Sequence, residues 1–367
     1  MKILFISPVP VEGAGCRFRI YQYFPYLKEH NIKVKLSPFL FSSYFNIVYK
    51  PGKVFLKIIY FFFGTLRRFY DLVRASGYDI IFVYRESYPV GPPIFEYILH
   101  FLGKPIICDF DDAIFLPNTS RANRFLRLWR RHHNIDKIIQ LSDCVITGND
   151  YLKNYALKFH KNVSVLPTVI DPNRYIPATG DKHSRNEKLV IGWIGSATTQ
   201  DYLVPFIPIF KKLTEKYKDI FLKIVSNNFA FPEKLNNSVI FQEWSLKSEL
   251  EDLQSFDIGI MPMPDNNWTR GKCGFKAILY MSISIPVVCS PVGANTKIIQ
   301  DGVNGFLANS DEEWLQKLSQ LIEDPGLRDE LGRLGRKTVE ENFSLNVNSL
   351  KLLGVLEKVY YESKEAN

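Results

Sequence analysis

The chain has 367 residues, 46% of them hydrophobic and 23% charged. That length and balance suit two buried cores and leave no tract polar enough for extended disorder before Ser363 to Asn367. The formal net charge of +8 admits a phosphorylated ligand or an anionic lipid surface, whereas the lack of zinc-finger spacing, RNP-type aromatics and Lys/Arg blocks excludes a nucleic-acid partner.

The first run, Met1 to Ile6 ahead of Ser7-Pro8, is too short for a signal peptide and has no small-residue cleavage site. Short, continuously apolar runs then recur along the chain. Strands are predicted at 2–7, 33–38, 79–84, 105–110, 144–148 and 163–167 in the first half. In the second half they are predicted at 189–195, 221–226, 239–241, 258–261, 286–290 and 305–308. Runs without alternation suit parallel strands covered on both faces. Helical spacing lies between them at 211–217, 246–254 and 312–323. Ser310 with three following acids opens the last of these, and Asp324-Pro325-Gly326 stops it.

Val54 to Leu66 is the most apolar stretch, yet Lys57 interrupts it and it falls short of the ~20 residues a bilayer span needs. Between Asp171 and Lys188 the apolar period lapses among prolines, a glycine and charges, as in an interdomain linker. The predicted fold is therefore α/β: two doubly wound, Rossmann-like domains at 1–175 and 189–345 facing across a cleft. Residues 176–188 would link them, and a C-terminal helix at 346–367 would pack back on the first domain. Ligands of such folds bind at the carboxyl ends of the strands.

Cys16, Cys108, Cys144, Cys273 and Cys289 are scattered and form no CxxC pair, which predicts reduced thiols and a cytoplasmic chain. Cys108, Cys144 and Cys289 lie in apolar runs and read as small core residues. None of the six histidines has metal-ligand spacing with Cys, Asp or Glu. Asp109-Phe110-Asp111 has DxD spacing but lies in the first half, so no metal cofactor is predicted.

Two loops of the second half carry candidate chemistry. Gly195-Ser196-Ala197-Thr198-Thr199 follows a strand and precedes a helix. Its N–H groups suit a phosphate, though the same turn serves as a plain strand-to-helix connection. Trp268 to Lys276 places Arg270, Lys272 and Lys276 beside Gly271 and Gly274 at a helix start, just after Pro262 and Pro264 end a strand. Three cations beside free N–H groups suit a diphosphate. The GxGxxG and Walker A patterns are both absent, against a dinucleotide or a P-loop.

The run from Phe256 to Ala308 resembles the donor-binding half of glycosyltransferase family 4, the retaining GT-B enzymes, and WIGSATTQDYL resembles the start of that half in one bacterial branch. GAGCRFRIYQYFPYLKEH, ICDFDDAIF, TGNDYL and LPTVID are similar to the branch's first-half motifs in order. The resemblance implies that Gly195 and Ser196 face donor phosphates and that Arg270, Lys272 and Lys276 neutralise the leaving diphosphate. It puts Val239 to Trp244 beside the nucleobase, and Gly15, Arg17 and Arg19 on the acceptor side. Pro262 and Gly274 fall within the same donor-binding stretch.

Two departures stand out. The family's paired glutamates fall on Gly271 and Leu279 here, and Leu279 cannot accept a hydrogen bond from a ribose. Where many members carry a histidine after the fourth strand, this chain offers Asp109, Asp111 and Asp112. Asp111 and Asp112 are expected to orient an acceptor hydroxyl or stabilise an oxocarbenium-like sugar, although Asp112 before Ala113-Ile114-Phe115 also suits a helix N-cap. Arg85, at the end of the third strand, is a further acceptor-side candidate.

Phe39 to Arg74 interleaves aromatics with Lys50, Lys53, Lys57, Arg67, Arg68 and Arg74, and a second basic run holds Arg121, Arg124, Arg127, Arg130 and Arg131. Such segments suit an anionic membrane surface. The expected activity is retaining sugar transfer from a nucleoside diphosphate sugar, the co-substrate, to a saccharide or lipid-linked acceptor in cell-surface polysaccharide synthesis. The enzyme would be peripheral at the inner membrane face. The alternatives are a GT-B phosphorylase or epimerase, or a catalytically silent nucleotide-sugar-binding or scaffold subunit.

Overall fold

A computed structural model describes residues 1–48, 52–117, 134–178, 188–227 and 238–365. The chain divides into two compact units, one of 1–169 with 348–367 and one of 170–347.

In the first unit the strands are β1 (Lys2–Ser7), β2 (Lys33–Pro38), β3 (Ile80–Tyr84), β4 (Ile106–Phe110), β5 (Cys144–Thr147) and β6 (Val163–Val165). The helices are α1 (Ala14–Arg19), α2 (Phe24–Glu29), α3 (Ser42–Val48), α4 (Val54–Arg74), α5 (Ile94–Phe101), α6 (Asn134–Leu141) and α7 (Asp150–Ala156). All strand pairs are parallel, in the order β2-β1-β3-β4-β5-β6. The central β3, β4 and β5 are buried throughout, whereas edge β2 is largely exposed. That gradient explains why the central runs are apolar but for residues such as Asp109 and Thr147 near their ends, whereas β2 carries two lysines.

In the second unit the strands are β7 (Leu189–Ile194), β8 (Ile220–Ser226), β9 (Val239–Glu243), β10 (Ile258–Met261), β11 (Val287–Cys289) and β12 (Phe306–Leu307). The helices are α8 (Ile207–Lys216), α9 (Glu249–Gln254), α10 (Asn267–Arg270), α11 (Phe275–Ser282), α12 (Asn295–Ile298), α13 (Asp311–Glu323) and α14 (Pro325–Thr338). Helix α15 (Leu345–Glu365) returns the chain to the first unit. The parallel order is β12-β11-β10-β7-β8-β9. Both sheets reverse their winding once, between β1 and β3 and between β7 and β10. A crevice opens outside the strand ends at such a reversal.

All twelve predicted strands are present within two residues of their bounds. Other expectations change. Asp324 does end α13, but it also caps α14, its carboxylate accepting from the Leu327 amide. A proline at the first helical position starts a helix without costing a hydrogen bond, so the triplet joins two helices. The division between units falls after Val169, ahead of the predicted linker. Tyr175 is buried, its hydroxyl donating to Glu249, and Arg336 donates to the Tyr175 carbonyl. The start of that polar segment thus belongs to the second unit's core, while 179–187 lie outside the described residues. All five cysteines are buried. Burial raises the Cys16 thiol to about 12.

Close packing at the β7–β10 reversal rests on two glycines. A Cβ on Gly192 would lie 2.0 Å from the Phe256 ring, and one on Gly259 would lie 2.5 Å from the Tyr280 ring. Tyr280 of α11 is fully buried across the two strands. Its hydroxyl accepts from the Ile194 amide at 3.0 Å and donates towards the Ile260 carbonyl at 3.4 Å. Tyr280→Phe keeps the ring but leaves the Ile194 N–H without that partner. The substitution is expected to lower stability by about 1–3 kcal/mol, read as a lower urea midpoint at unchanged slope.

Candidate functional site

At the strand ends of the first unit, β3 and β4 deliver a charged cluster. Tyr84, the last residue of β3, donates its hydroxyl to Asp111 Oδ1 at 2.7 Å. Arg85 donates to the same oxygen from Nε at 3.0 Å and from Nη2 at 2.6 Å, and from Nη2 to Asp112 Oδ2 at 2.5 Å. Arg85 sits at φ +63°, a left-handed conformation uncommon for a side chain of this size. Its amide bond to the Asp109 carbonyl at 2.7 Å and its two carboxylate partners hold it there. Non-glycine residues in this region gather at functional sites.

Gly15 of α1 lies against this cluster: an added Cβ would come within 2.1 Å of the Tyr84 hydroxyl. Gly15, Arg85, Asp111 and Asp112 are thereby brought together at the β1–β3 reversal. Residues 114 and 115 form a turn and no helix starts within the described residues 113–117, so Asp112 caps no helix there. Arg19 does not line a surface. It is 2% exposed and pairs with buried Asp109, with Nη1 donating to the Leu166 carbonyl at 2.6 Å. Arg17 is likewise buried, its guanidinium 4.6 Å from the Phe18 ring centroid. A short helix with one face in the core turned both arginines inward, and α1 presents Gly15 instead.

The two carboxyls are shifted in opposite directions. Burial raises Asp109 in spite of the Arg19 guanidinium. For Asp111 burial also pushes upward, but the Arg85 charge, the Arg19 charge and the bonds from Tyr84 and Arg85 together outweigh it, holding Asp111 below the usual carboxylate range. Asp111 is therefore a fixed anion and hydrogen-bond acceptor, and a weak proton acceptor.

At the strand ends of the second unit, Lys276 and Gly195 meet. Lys276 Nζ stands 5.2 Å from the Trp193 ring centroid, and a Cβ on Gly195 would lie 2.9 Å from Lys276 Cε. Lys276 and Tyr280 are four residues apart on α11 and share one face, so the buried tyrosine sets the height of the lysine over the sheet edge. Gly274 caps α11 at φ +65°, where a Cβ would also lie 2.3 Å from Ile298. Gly293, at φ +59°, approaches the Arg270 carbonyl just as closely, since a Cβ there would lie 2.8 Å away. The turn after β11 is thereby pressed onto the last turn of α10.

The three predicted cations take different partners. Arg270 forms a two-pronged pair with exposed Asp265 at 2.7 and 2.9 Å. Lys272 lies 5.8 Å from the Trp268 ring centroid. Lys276 joins Gly195. Arg270 is held back because α10, capped by Asn266, presents Asp265 within reach of its fork. Pro262 is buried beyond β10, and exposed Ser196 starts the short helix after β7, its carbonyl accepting from Thr199. Trp244 is half-buried, its Nε1 donating to Glu249 Oε2 at 2.9 Å. Leu279 is buried and apolar, so α11 offers no carboxylate for a ribose.

Tyr84, Trp193 and Glu249 were not singled out by the sequence. The hydroxyl closing an otherwise apolar strand, next to Arg85, was a readable signal for Tyr84. Glu249 reaches Trp244 and Tyr175 only through tertiary packing.

Two outcomes test the first cluster. Gly15→Ala is expected to lower the melting temperature by several degrees, and Gly15→Ala with Tyr84→Phe to recover part of the loss, because the second change removes the oxygen at 2.1 Å. Asp111 stabilises the fold above its ordinary value of 3.8 and loses this contribution as protonation proceeds below it. The stability gap between wild type and Asp111→Asn in urea should thus be full at neutral pH and shrink as pH falls below 3.8.

Residues 188–324 match the family model described as Glycosyl transferases group 1. Over 344 residues the chain is 25% identical to an uncharacterized glycosyltransferase of Methanocaldococcus jannaschii, covering 91% of this chain and 84% of that one. It is 23% identical over 176 residues to the capsular polysaccharide biosynthesis glycosyltransferase CapM of Staphylococcus aureus, 44% of each chain. The fold is similar to that of Anabaena HepE, solved in complex with UDP and glucose, with a TM-score of 0.67 at 16% identity over 97% of this chain and 99% of that one. The second unit thus carries a glycosyl transferases group 1 domain, in a chain of two parallel-sheet units of the GT-B kind, and the protein is a glycosyltransferase.

Proposed function

We propose that the protein is a retaining glycosyltransferase of family 4. It would move a sugar from a nucleoside diphosphate sugar to a saccharide or lipid-linked acceptor in cell-surface polysaccharide synthesis. The observation that carries this reading is Lys276 fixed over Gly195 at the β7–β10 reversal. An ammonium held at a strand end beside a glycine, one turn from a buried anchor, suits the charge that grows on a departing phosphate. The UDP in HepE and the polysaccharide role in the name of CapM support the donor and acceptor classes.

The second unit would bind the donor. Gly195 leaves room for a diphosphate oxygen, and Lys276 takes its charge as the bond to the anomeric carbon breaks. Arg270 joins if it exchanges Asp265 for phosphate. Such fixed cations do the work a metal would otherwise do. The first unit would bind the acceptor. There Asp111, held anionic by Arg85 and Tyr84, accepts a hydrogen bond from the acceptor hydroxyl or faces positive charge developing on the sugar. Five scattered, buried cysteines suit a reducing, cytoplasmic setting.

Lys276→Ala, assayed with chelator present, is expected to lower donor turnover ~10²-fold or more, with nucleoside diphosphate still protecting the fold in a thermal-shift screen. Turnover equal to wild type would remove Lys276 from the mechanism. Nucleotide binding by the wild type without turnover of any sugar would replace the whole reading with a binding subunit.

A further inference from the structure

Helix α4 is built the wrong way round for a surface helix. Among its 21 residues the buried ones are Gly64, Arg68 and Asp71. Arg68 pairs with Asp71 and donates to the Ser37 carbonyl at 2.7 Å, and the Ser37 hydroxyl donates to Asp71 at 2.7 Å. Gly64 fixes the close approach, because a Cβ there would lie 2.8 Å from the Phe39 ring. The polar groups of the helix thus face the protein. Its outward stripe is Phe55, Ile58, Phe62, Leu66, Phe69 and Val73, spaced three or four residues apart as one helical face requires. Phe55 is 75% exposed and Val73 78%.

Helix α5 packs beside it, with the Phe69 and Phe95 rings 5.4 Å apart, and extends the patch with Ile94, Tyr97 and Phe101, the last 90% exposed. A contiguous apolar face of this kind marks an interaction surface. Charge on the two helices is sorted in the same sense. Their only acids, Asp71 and Glu96, are buried. Exposed cations stand at the two ends of the stripe, Lys53 and Arg74. Arg74 lies against Tyr70, donating to its hydroxyl at 3.1 Å, whereas Arg67 turns towards the body of the unit, donating to the Pro38 carbonyl at 2.6 Å with its guanidinium over Phe41. Long basic side chains lying along aromatic surface can keep apolar stems low and charged heads high.

We propose that the outward face of α4 and α5 docks on an anionic lipid bilayer, α4 lying flat in the interface. Among the described residues no helix is long and apolar enough to cross a membrane, whereas an apolar stripe with a cation at each end suits the boundary between acyl chains and headgroups. A second copy fits the face poorly, because a two-fold contact would bring the same cations against each other. Of the basic residues of 39–74, Lys57, Arg67 and Arg68 do not take part, since they lie on the inward side of α4. Lys50 and the arginines of 121–131 lie outside the described residues. The inference rests on the surface of the first unit alone and stands apart from the donor reading.

The test is vesicle flotation without any nucleotide sugar. Wild type is expected to float with vesicles holding about a third phosphatidylglycerol, roughly ten-fold more than with pure phosphatidylcholine, and to release as salt rises. Phe55→Glu with Phe62→Glu should lose flotation at least ten-fold while keeping the wild-type melting temperature, because both side chains face outward. Lys53→Glu with Arg74→Glu should lose the preference for the anionic vesicle. Wild-type failure to float with either vesicle overturns the proposal, as does undiminished flotation of the double glutamate variant. Concentration-dependent dimerisation abolished by that variant, without vesicle binding, assigns the face to a second copy and overturns it too.

Discussion

The hydroxyl of Tyr280 closes the gap that opens where the second sheet reverses its winding. Parallel strands buried on both faces leave no water to satisfy a backbone amide at their ends, and at Ile194 the partner comes from a helix. That one contact fixes α11 against β7 and β10. It needs Gly259 to make room for the ring, and the neighbouring Phe256 needs Gly192. Because side chains four apart share a helix face, fixing Tyr280 also fixes Lys276 over Trp193 and Gly195. The cation takes its position from the core.

The first unit solves a related problem with charge. Asp109 and Asp111 lie two residues apart on β4 and just beyond it, so they take different surroundings. Asp109 is shut in with Arg19, an ion pair whose value is to fasten α1 to the sheet. Asp111 sits past the strand end with Tyr84 and Arg85 and remains partly open. One carboxylate is shut into the core and its neighbour stands partly open past the strand end, and the difference lies in which arginine can reach each.

Helix α4 shows the same economy of polar groups turned to a different end. Its acid is spent inside on Arg68 and Ser37, so nothing negative remains to repel an anionic surface. The aromatic side chains that a soluble helix would bury are left outside.

The strands were legible in the sequence because burial on both faces writes itself as an unbroken apolar run, visible without knowing what covers it. Glycine and charge just after the apolar runs marked Arg85, Gly195 and Lys276 as strand-end residues, while Gly15 and Asp111 came from the family resemblance. Direction was not legible. Whether Arg19 points into the core, whether Arg270 is taken by Asp265 and whether Arg68 faces inward depend on which acid each long side chain meets. Arg19 meets its partner 90 residues away. Composition and spacing supply the charges. Only packing, which decides what each charge can touch, supplies their partners.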